Sequence, residues 1–264
     1  MTIKNNFGRF KVYSLKKHLI PMNLINGNCL DHLKTFPDNA FNLVLTSPPY
    51  NMNLRIRNGK YCSRQIVKEL TTKYVDFPDN LSIDDYLNFN RQVITECLRV
   101  ATLVFYNVQF LTGNKVALFK LIGEFATSLK EIIAWDKVNC EPAIGELVLN
   151  SQFEVILVFD KFNAISRKFN NGNFRRGELS NHWSIKKSKS KDKSHGAVFP
   201  LELAHKVISN FSHPNDSVLD PFMGTGTTGE ACIELNRHFT GIELSNHYFT
   251  VASKRLLAFN SLKA

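Results

Sequence analysis

Apolar residues along this 264-residue chain fall into two recurring patterns. The first is a short unbroken run rich in β-branched and aromatic residues. It recurs as FNLVLT (41–46), TLVFYNV (102–108), EIIAWD (131–136), FEVILVFD (153–160), SVLD (217–220) and HFTGIEL (238–244). Runs without polar alternation predict strands covered on both faces, as in a parallel sheet. The second pattern is helical. In residues 81–100, Tyr86, Phe89, Val93, Ile94, Cys97 and Leu98 repeat at helical spacing, with Ser82 placed as N-cap and Asp85 three residues on. Further helices are predicted over 114–129, 199–211 and 246–259. Residues 22–33 (MNLINGNCLDHL) read as strand-like and lead into a Pro37-Asp38-Asn39 turn. Alternating strands and helices predict an α/β fold with a doubly wound, mostly parallel, Rossmann-like sheet.

Three stretches escape both patterns. The first twenty residues are basic and irregular. Residues 51–80 read as loop or short helices, a flexible basic loop. Residues 161–196 lack periodicity and contain the Lys/Ser tract KKSKSKDKS (186–194), a low-complexity composition expected to be mobile.

Charge singles out the last two. The chain carries +10. Residues 161–196 hold ten Lys/Arg against two acids, +8, and residues 54–75 hold six against one, +5, so the remainder is 10 − 8 − 5 = −3. Basic charge confined to two segments predicts a polyanion surface, most simply nucleic acid, with a solvated Lys-rich loop as the plainer reading. Arg55, Arg57, Arg175, Arg176, Lys186, Lys187, Lys189 and Trp183 are the candidate DNA contacts, whereas Trp135, inside a strand run, is assigned to the core. The five cysteines have no metal-ligand or redox-pair spacing, so no metal is expected. The odd cysteine count and the lack of a signal-peptide pattern predict a reducing, cytoplasmic setting. No apolar run approaches the ~18 residues of a membrane span.

Two motifs carry chemistry. Asp220-Pro221-Phe222-Met223-Gly224-Thr225-Gly226-Thr227-Thr228-Gly229 follows a strand and opens a helix, a G-x-G-x-x-G turn. Glu243 ends the next strand, 23 residues after Asp220, where a carboxylate can accept both hydroxyls of a ribose. The ligand is NAD or S-adenosylmethionine. A negative Asp220 beside the ligand suits an ammonium and a sulfonium better than a pyrophosphate, and Phe222 offers an apolar contact for adenine. S-adenosylmethionine is therefore the favoured cofactor.

The other motif is Ser47-Pro48-Pro49-Tyr50, placed directly after the FNLVLT strand. A nucleobase amine is a poor nucleophile because its lone pair is delocalised into the ring. Two acceptors on its hydrogens, the Ser47 hydroxyl and the Pro48 carbonyl, would favour sp³ character at nitrogen. Tyr50 could stack on the base, and the prolines hold the groups rigid before binding. A base in duplex DNA must be flipped out to reach such a pocket.

Together these motifs resemble the β-type amino-DNA methyltransferases, which modify adenine-N6 or cytosine-N4. Ser47 to Tyr50 matches the family's [D/N/S]-P-P-[Y/F/W], and Asp220 to Thr228 matches D-P-F-x-G-x-G-T-T. His195 to Pro200 (HGAVFP) is similar to the family's H-P-A-x-F-P, with Gly196 for Pro, and Gly27-Asn28-Cys29 stands where G-D-C is usual. The resemblance spans about 22–108 and 130–258. It implies one methyltransferase domain over 1–264, in circularly permuted order, with 161–196 inserted as the target-recognition segment. It implies catalytic roles for Ser47, Pro48, Pro49 and Tyr50. It implies cofactor roles for Asn28, Cys29, Phe199, Pro200, Asp220, Phe222, Gly224, Gly226, Thr227, Thr228 and Glu243. Double-stranded DNA is the implied partner, with a cognate restriction endonuclease and either a monomer or a homodimer admitted. Ser at the first motif position leans towards cytosine-N4. Methylation at carbon 5 is disfavoured, since no Cys follows a proline. The alternatives are a NAD-dependent oxidoreductase and a non-catalytic DNA-binding protein on the same fold.

Overall fold

The computed structural model describes residues 19–52, 55–57, 60–62, 77–78, 80–139, 146–187 and 200–263. In chain order the elements are β1 (Met22–Asn26), α1 (Cys29–Leu33), β2 (Phe41–Thr46), β3 (Arg55–Arg57), β4 (Lys60–Cys62), α2 (Ile83–Val100), β5 (Ala101–Val108) and α3 (Lys115–Glu124). There follow β6 (Leu129–Asp136), β7 (Phe153–Asp160), β8 (His182–Ser184), α4 (Leu201–Phe211), β9 (Ser217–Asp220), α5 (Thr227–Leu235), β10 (His238–Glu243) and α6 (Asn246–Lys263).

Eight strands form one sheet in the order β1-β10-β9-β2-β5-β7-β6-β8. Pairing is parallel from β1 through β5, antiparallel on both sides of β7, and parallel again between β6 and β8. In β2, β5 and β7 the unbroken apolar runs have the expected cause, burial on both faces, whereas β6 alternates, with exposed Ile132 beside buried Ile133 and Trp135. Leu43, Leu45, Leu103, Phe105, Ile156 and Val158 enter a core shared with α4 and α5. Their neighbours Val44, Val104, Tyr106, Val155, Leu157 and Phe159 enter a second core shared with α2 and α3. The two-residue period of a strand sends successive side chains to opposite faces.

The chain order is permuted relative to the sheet order. β9, near the C-terminus, lies between β10 and β2, and β1 closes the edge beside β10. The winding reverses between β9 and β2, since β9 continues through α5 to β10 on one side and β2 through α2 to β5 on the other. Ligands of open α/β sheets bind at such a switch point, outside the carboxyl ends of the strands. Both motifs begin there, one after Thr46 and one at Asp220.

Several local expectations change. Residues 22–33 are a strand, a turn and the short helix α1, because the Asn28 side chain accepts the Leu30 N–H at 2.9 Å and caps a new helix. Within 51–80, backbone pairing forms the antiparallel ribbon β3–β4, where a loop or short helices were expected. Residues 161–187 do not stand apart from the domain. Phe169 and Phe174 pack on Phe211 of α4, the Asn173 N–H donates to the Asn210 carbonyl, and β8 extends the main sheet. The N-cap of α2 is as expected, with Ser82 Oγ accepting the Asp85 N–H at 3.1 Å. No described helix is long and apolar enough to cross a membrane.

Candidate active site

The Ser47–Asn51 turn is clamped from several elements. From α2, the Tyr86 hydroxyl donates to the Pro49 carbonyl at 2.8 Å. Asn114, just before α3, donates to the Tyr50 carbonyl at 2.6 Å. Asn51 closes the turn in the left-handed region, φ 50°. Its buried side chain accepts the Leu81 N–H and donates to the carbonyls of Leu81 and Gly113. Pro48, Pro49 and Tyr50 are buried and Ser47 is half-buried. Among the described residues no donor meets the Pro48 carbonyl, although the next carbonyl along is occupied. The turn is therefore rigid and presents one hydroxyl and one carbonyl as acceptors.

Beneath it lies a buried polar chain. Ser47 Oγ is 2.8 Å from the Tyr50 hydroxyl oxygen, which donates to Glu154 Oε2 at 2.9 Å. Asn107 Nδ2 donates to the Tyr50 oxygen at 2.7 Å and to Glu154 Oε2 at 3.0 Å. Glu154 Oε1 pairs with Lys137 Nζ at 3.5 Å, both side chains buried. Tyr50 is thus anchored through its hydroxyl and is only 8% exposed, a role that its place in the motif did not suggest. Sequence reasoning missed Asn107, Glu154 and Lys137. The available signal was polarity in the wrong place, a Glu second in the apolar run FEVILVFD and an Asn near the end of TLVFYNV. Buried polar groups of this kind require partners.

The glycine-rich turn is built by two carboxylates. Glu243, at the end of β10, accepts the Gly224 N–H at 2.8 Å and the Ser245 N–H at 2.9 Å. Gly224 and Gly226 have φ of 54° and 87°, the left-handed region that suits glycine. Gly229 is required for a different reason. A Cβ there would lie 2.7 Å from Phe239 Cε1 and 2.8 Å from Leu256 Cδ1, so it lets α5 approach β10 and α6.

Asp220 does not turn its charge towards the ligand, as was expected of it. Its carboxylate is 2% exposed and faces inward. Oδ1 accepts the Thr46 hydroxyl at 2.7 Å and the Phe222 N–H at 3.1 Å, while Oδ2 accepts the Thr228 hydroxyl at 2.6 Å. Thr46 immediately precedes Ser47, and Thr228 lies in the first turn of α5. One carboxylate therefore fastens the Ser-Pro-Pro-Tyr turn to the glycine-rich turn. Its charge is spent on protein donors and the Thr228 hydroxyl is committed to it.

Burial raises the Asp220 pKa from the ordinary 3.8 to about 6, against the lowering effect of its three donors. The folded state therefore holds an extra proton between those values, and stability falls as pH rises through that window. Relative to Asp220→Asn, the wild type should lose about 2 kcal/mol between pH 4 and pH 6. Urea unfolding of both proteins across that range measures the difference, and parallel curves would refute it.

Other predicted site residues divide. Phe222 is half-buried and lies in an aromatic row with Phe89 (6.0 Å) and Phe77. Thr227 starts α5, Pro200 caps α4, and exposed Asn28 caps α1. Cys29 is buried, and burial pushes its thiol up to about 12; Cys97 and Cys232 shift the same way. None of these three is primed as a nucleophile. Trp183 is not a DNA contact. It is fully buried in the sheet core, its indole N–H donates to the Ser180 carbonyl at 2.7 Å, and β8 locks it beside Trp135. Trp135 is core, as expected. Arg175, Arg176, Lys186 and Lys187 are exposed. Phe199 and Lys189 lie outside the described residues, as do the side chains of Arg55 and Arg57.

The site accepts a nucleoside-bearing cofactor on its own terms. A half-buried carboxylate, Glu243, ends the strand next to the turn, accepts the Gly224 and Ser245 N–H groups, and stands where a ribose would lie. A family model for N6/N4-type DNA methylase matches residues 41–254. The chain belongs to this family. As a DNA methylase of this family it is an S-adenosylmethionine-dependent DNA methyltransferase, which removes the oxidoreductase alternative. Among curated relatives, the Type II methyltransferase M.HinfI of Haemophilus influenzae is 30% identical over 254 residues, covering 88% of this chain and 67% of that one. Solved structures of the same fold include the cytosine-N4-specific PvuII DNA methyltransferase, with TM-score 0.64, 16% identity, and coverage of 93% of this chain and 95% of that one. The complex of M1.HpyAVI with S-adenosylmethionine gives TM-score 0.60 and 24% identity, covering 89% of this methylase and all of that chain.

Proposed function

We propose that this DNA methylase modifies the exocyclic amine of one flipped-out base within a specific duplex sequence, cytosine-N4 in preference to adenine-N6. The observation that carries the site assignment is the Thr46–Asp220–Thr228 bridge, which sets the Ser-Pro-Pro-Tyr turn against the cofactor turn. When bound, S-adenosylmethionine supplies an electrophilic methyl group. Ser47 Oγ and the Pro48 carbonyl each accept one amine hydrogen, which holds the NH₂ and draws its lone pair out of conjugation. Burial of Pro48, Pro49 and Tyr50 keeps these acceptors fixed before the base arrives, so little ordering cost falls on the reaction. Gly224, Gly226 and Glu243 hold the cofactor, and Asp220 holds their turn from inside. The exposed Arg175, Arg176, Lys186 and Lys187 are assigned to DNA phosphates or guanine edges, with strong salt dependence expected. Residues 161–187 carry target recognition in this reading, and similarity to Type II methyltransferases supports a restriction-modification role.

The lean towards cytosine rests on Ser47 standing where Asp is commoner in adenine enzymes. Incubating unmethylated DNA with enzyme and cofactor, then identifying the modified nucleoside by mass spectrometry, decides it. N4-methylcytosine is expected, N6-methyladenine overturns the base assignment alone, and unmodified DNA overturns the function.

A further inference from the structure

The donors and acceptors beneath Ser47 are not interchangeable, and each contact has one direction. Glu154 forms an ion pair with Lys137 inside the protein, and a carboxylate can only accept. Asn107 lies 3.0 Å from Glu154 Oε2, so it must face that oxygen with Nδ2. The opposite flip would set two acceptors against each other. Asn107 keeps this orientation even though its buried Oδ1 has no partner among the described residues. Its Nδ2 also donates to the Tyr50 oxygen. Tyr50 has one hydroxyl hydrogen, and Glu154 Oε2 at 2.9 Å takes it. At the 2.8 Å contact between Ser47 and Tyr50, the hydrogen must therefore come from Ser47. The alternative acceptor for Ser47, the Asn107 carbonyl at 3.4 Å, is the longer contact. With its hydrogen turned down towards Tyr50, Ser47 presents only lone pairs to the site.

We propose that Glu154, balanced by Lys137, is a positioning residue that acts through Tyr50 to hold Ser47 as a hydrogen-bond acceptor for the target amine. The inference rests on the assignment of Ser47 as an amine acceptor. A hydroxyl can donate or accept, and a donor aimed at an NH₂ group would oppose its hydrogens. A buried carboxylate two hydrogen bonds away removes that freedom. It also explains why a buried ion pair lies under a catalytic turn, since such pairs stabilise little by themselves.

Glu154→Gln keeps the shape but can present an N–H to Tyr50. The Tyr50 hydrogen then turns to Ser47, and Ser47 loses the acceptor that held its hydrogen away from the amine, keeping only the long 3.4 Å contact to the Asn107 carbonyl. Single-turnover transfer of a tritiated methyl group to unmethylated DNA should fall about 100-fold, the order lost with one preorganised polar contact. Affinity for S-adenosylhomocysteine should stay within about twofold, because the cofactor turn does not touch this chain. Tyr50→Phe breaks the same chain and should slow transfer similarly. The double variant should be no slower than the slower single variant, since both act on one chain. Glu154→Gln within about threefold of wild type, equal loss of cofactor affinity, or multiplying effects in the double variant would each overturn the proposal. If Glu154→Gln does not fold, Tyr50→Phe decides alone on the same limits. Ser47→Ala is measured alongside. Full activity there sinks the Ser47 assignment itself, whereas loss there with normal Glu154→Gln sinks only this inference.

Discussion

Replacing Tyr50 with alanine should reduce methyl transfer by at least about 100-fold while S-adenosylhomocysteine affinity changes no more than about twofold. The two halves of the site meet at Asp220, and Tyr50 lies wholly on the catalytic side of that junction. Its ring fills the space behind Ser47 and its hydroxyl ties Ser47 to Glu154 and Asn107. Alanine removes both and leaves a cavity beneath the prolines. Truncating a buried aromatic costs about 3–5 kcal/mol, so a lower melting temperature is expected as well. The glycine-rich turn keeps its own bonds to Glu243 and Asp220. Calorimetric titration with S-adenosylhomocysteine beside a labelled-methyl assay separates the outcomes. Equal loss of both would make Tyr50 a purely structural residue.

Asp220→Ala should behave differently, lowering cofactor affinity and methyl transfer together, each by about 10-fold or more. One side chain accepts from the catalytic strand, from the Phe222 amide and from the first turn of α5. Alanine leaves two hydroxyls and an amide buried without their acceptor, at about 1–3 kcal/mol for each group that finds no substitute. Loss of a buried carboxylate offsets part of this, because burial already works against its ionisation. The offset concerns stability and not geometry, so both turns still lose their common anchor. The same pair of assays reads the result. Lost transfer with unchanged cofactor affinity would show that the glycine-rich turn stands without the bridge.

How much of this was legible beforehand depended on range. β2, β5 and β7 could be read because burial on both faces removes polar alternation locally. The Ser82 cap could be read because cap and amide are three residues apart. α1 could not, since five residues are too few to show a helical period and Asn28 looked like part of a strand or a ligand site. Trp183 was misjudged because its neighbours in sequence are basic, whereas its neighbours in space are the sheet core. Asp220 was recognised as important for the wrong reason, because its motif shows that a carboxylate belongs there but not which way it faces.

The sequence by itself determined the fold class, the two motifs and the chemistry they imply. Each element and each motif behind them is read from residues close together in the chain, where covalent spacing sets geometry. Only the tertiary structure decided that Thr46 and Thr228, 182 positions apart, share one carboxylate (228 − 46 = 182), and that Glu154 reaches Ser47 through Tyr50. Those contacts depend on how strands distant in the chain are ordered in the sheet. They also depend on burial, which makes the direction of each hydrogen bond matter.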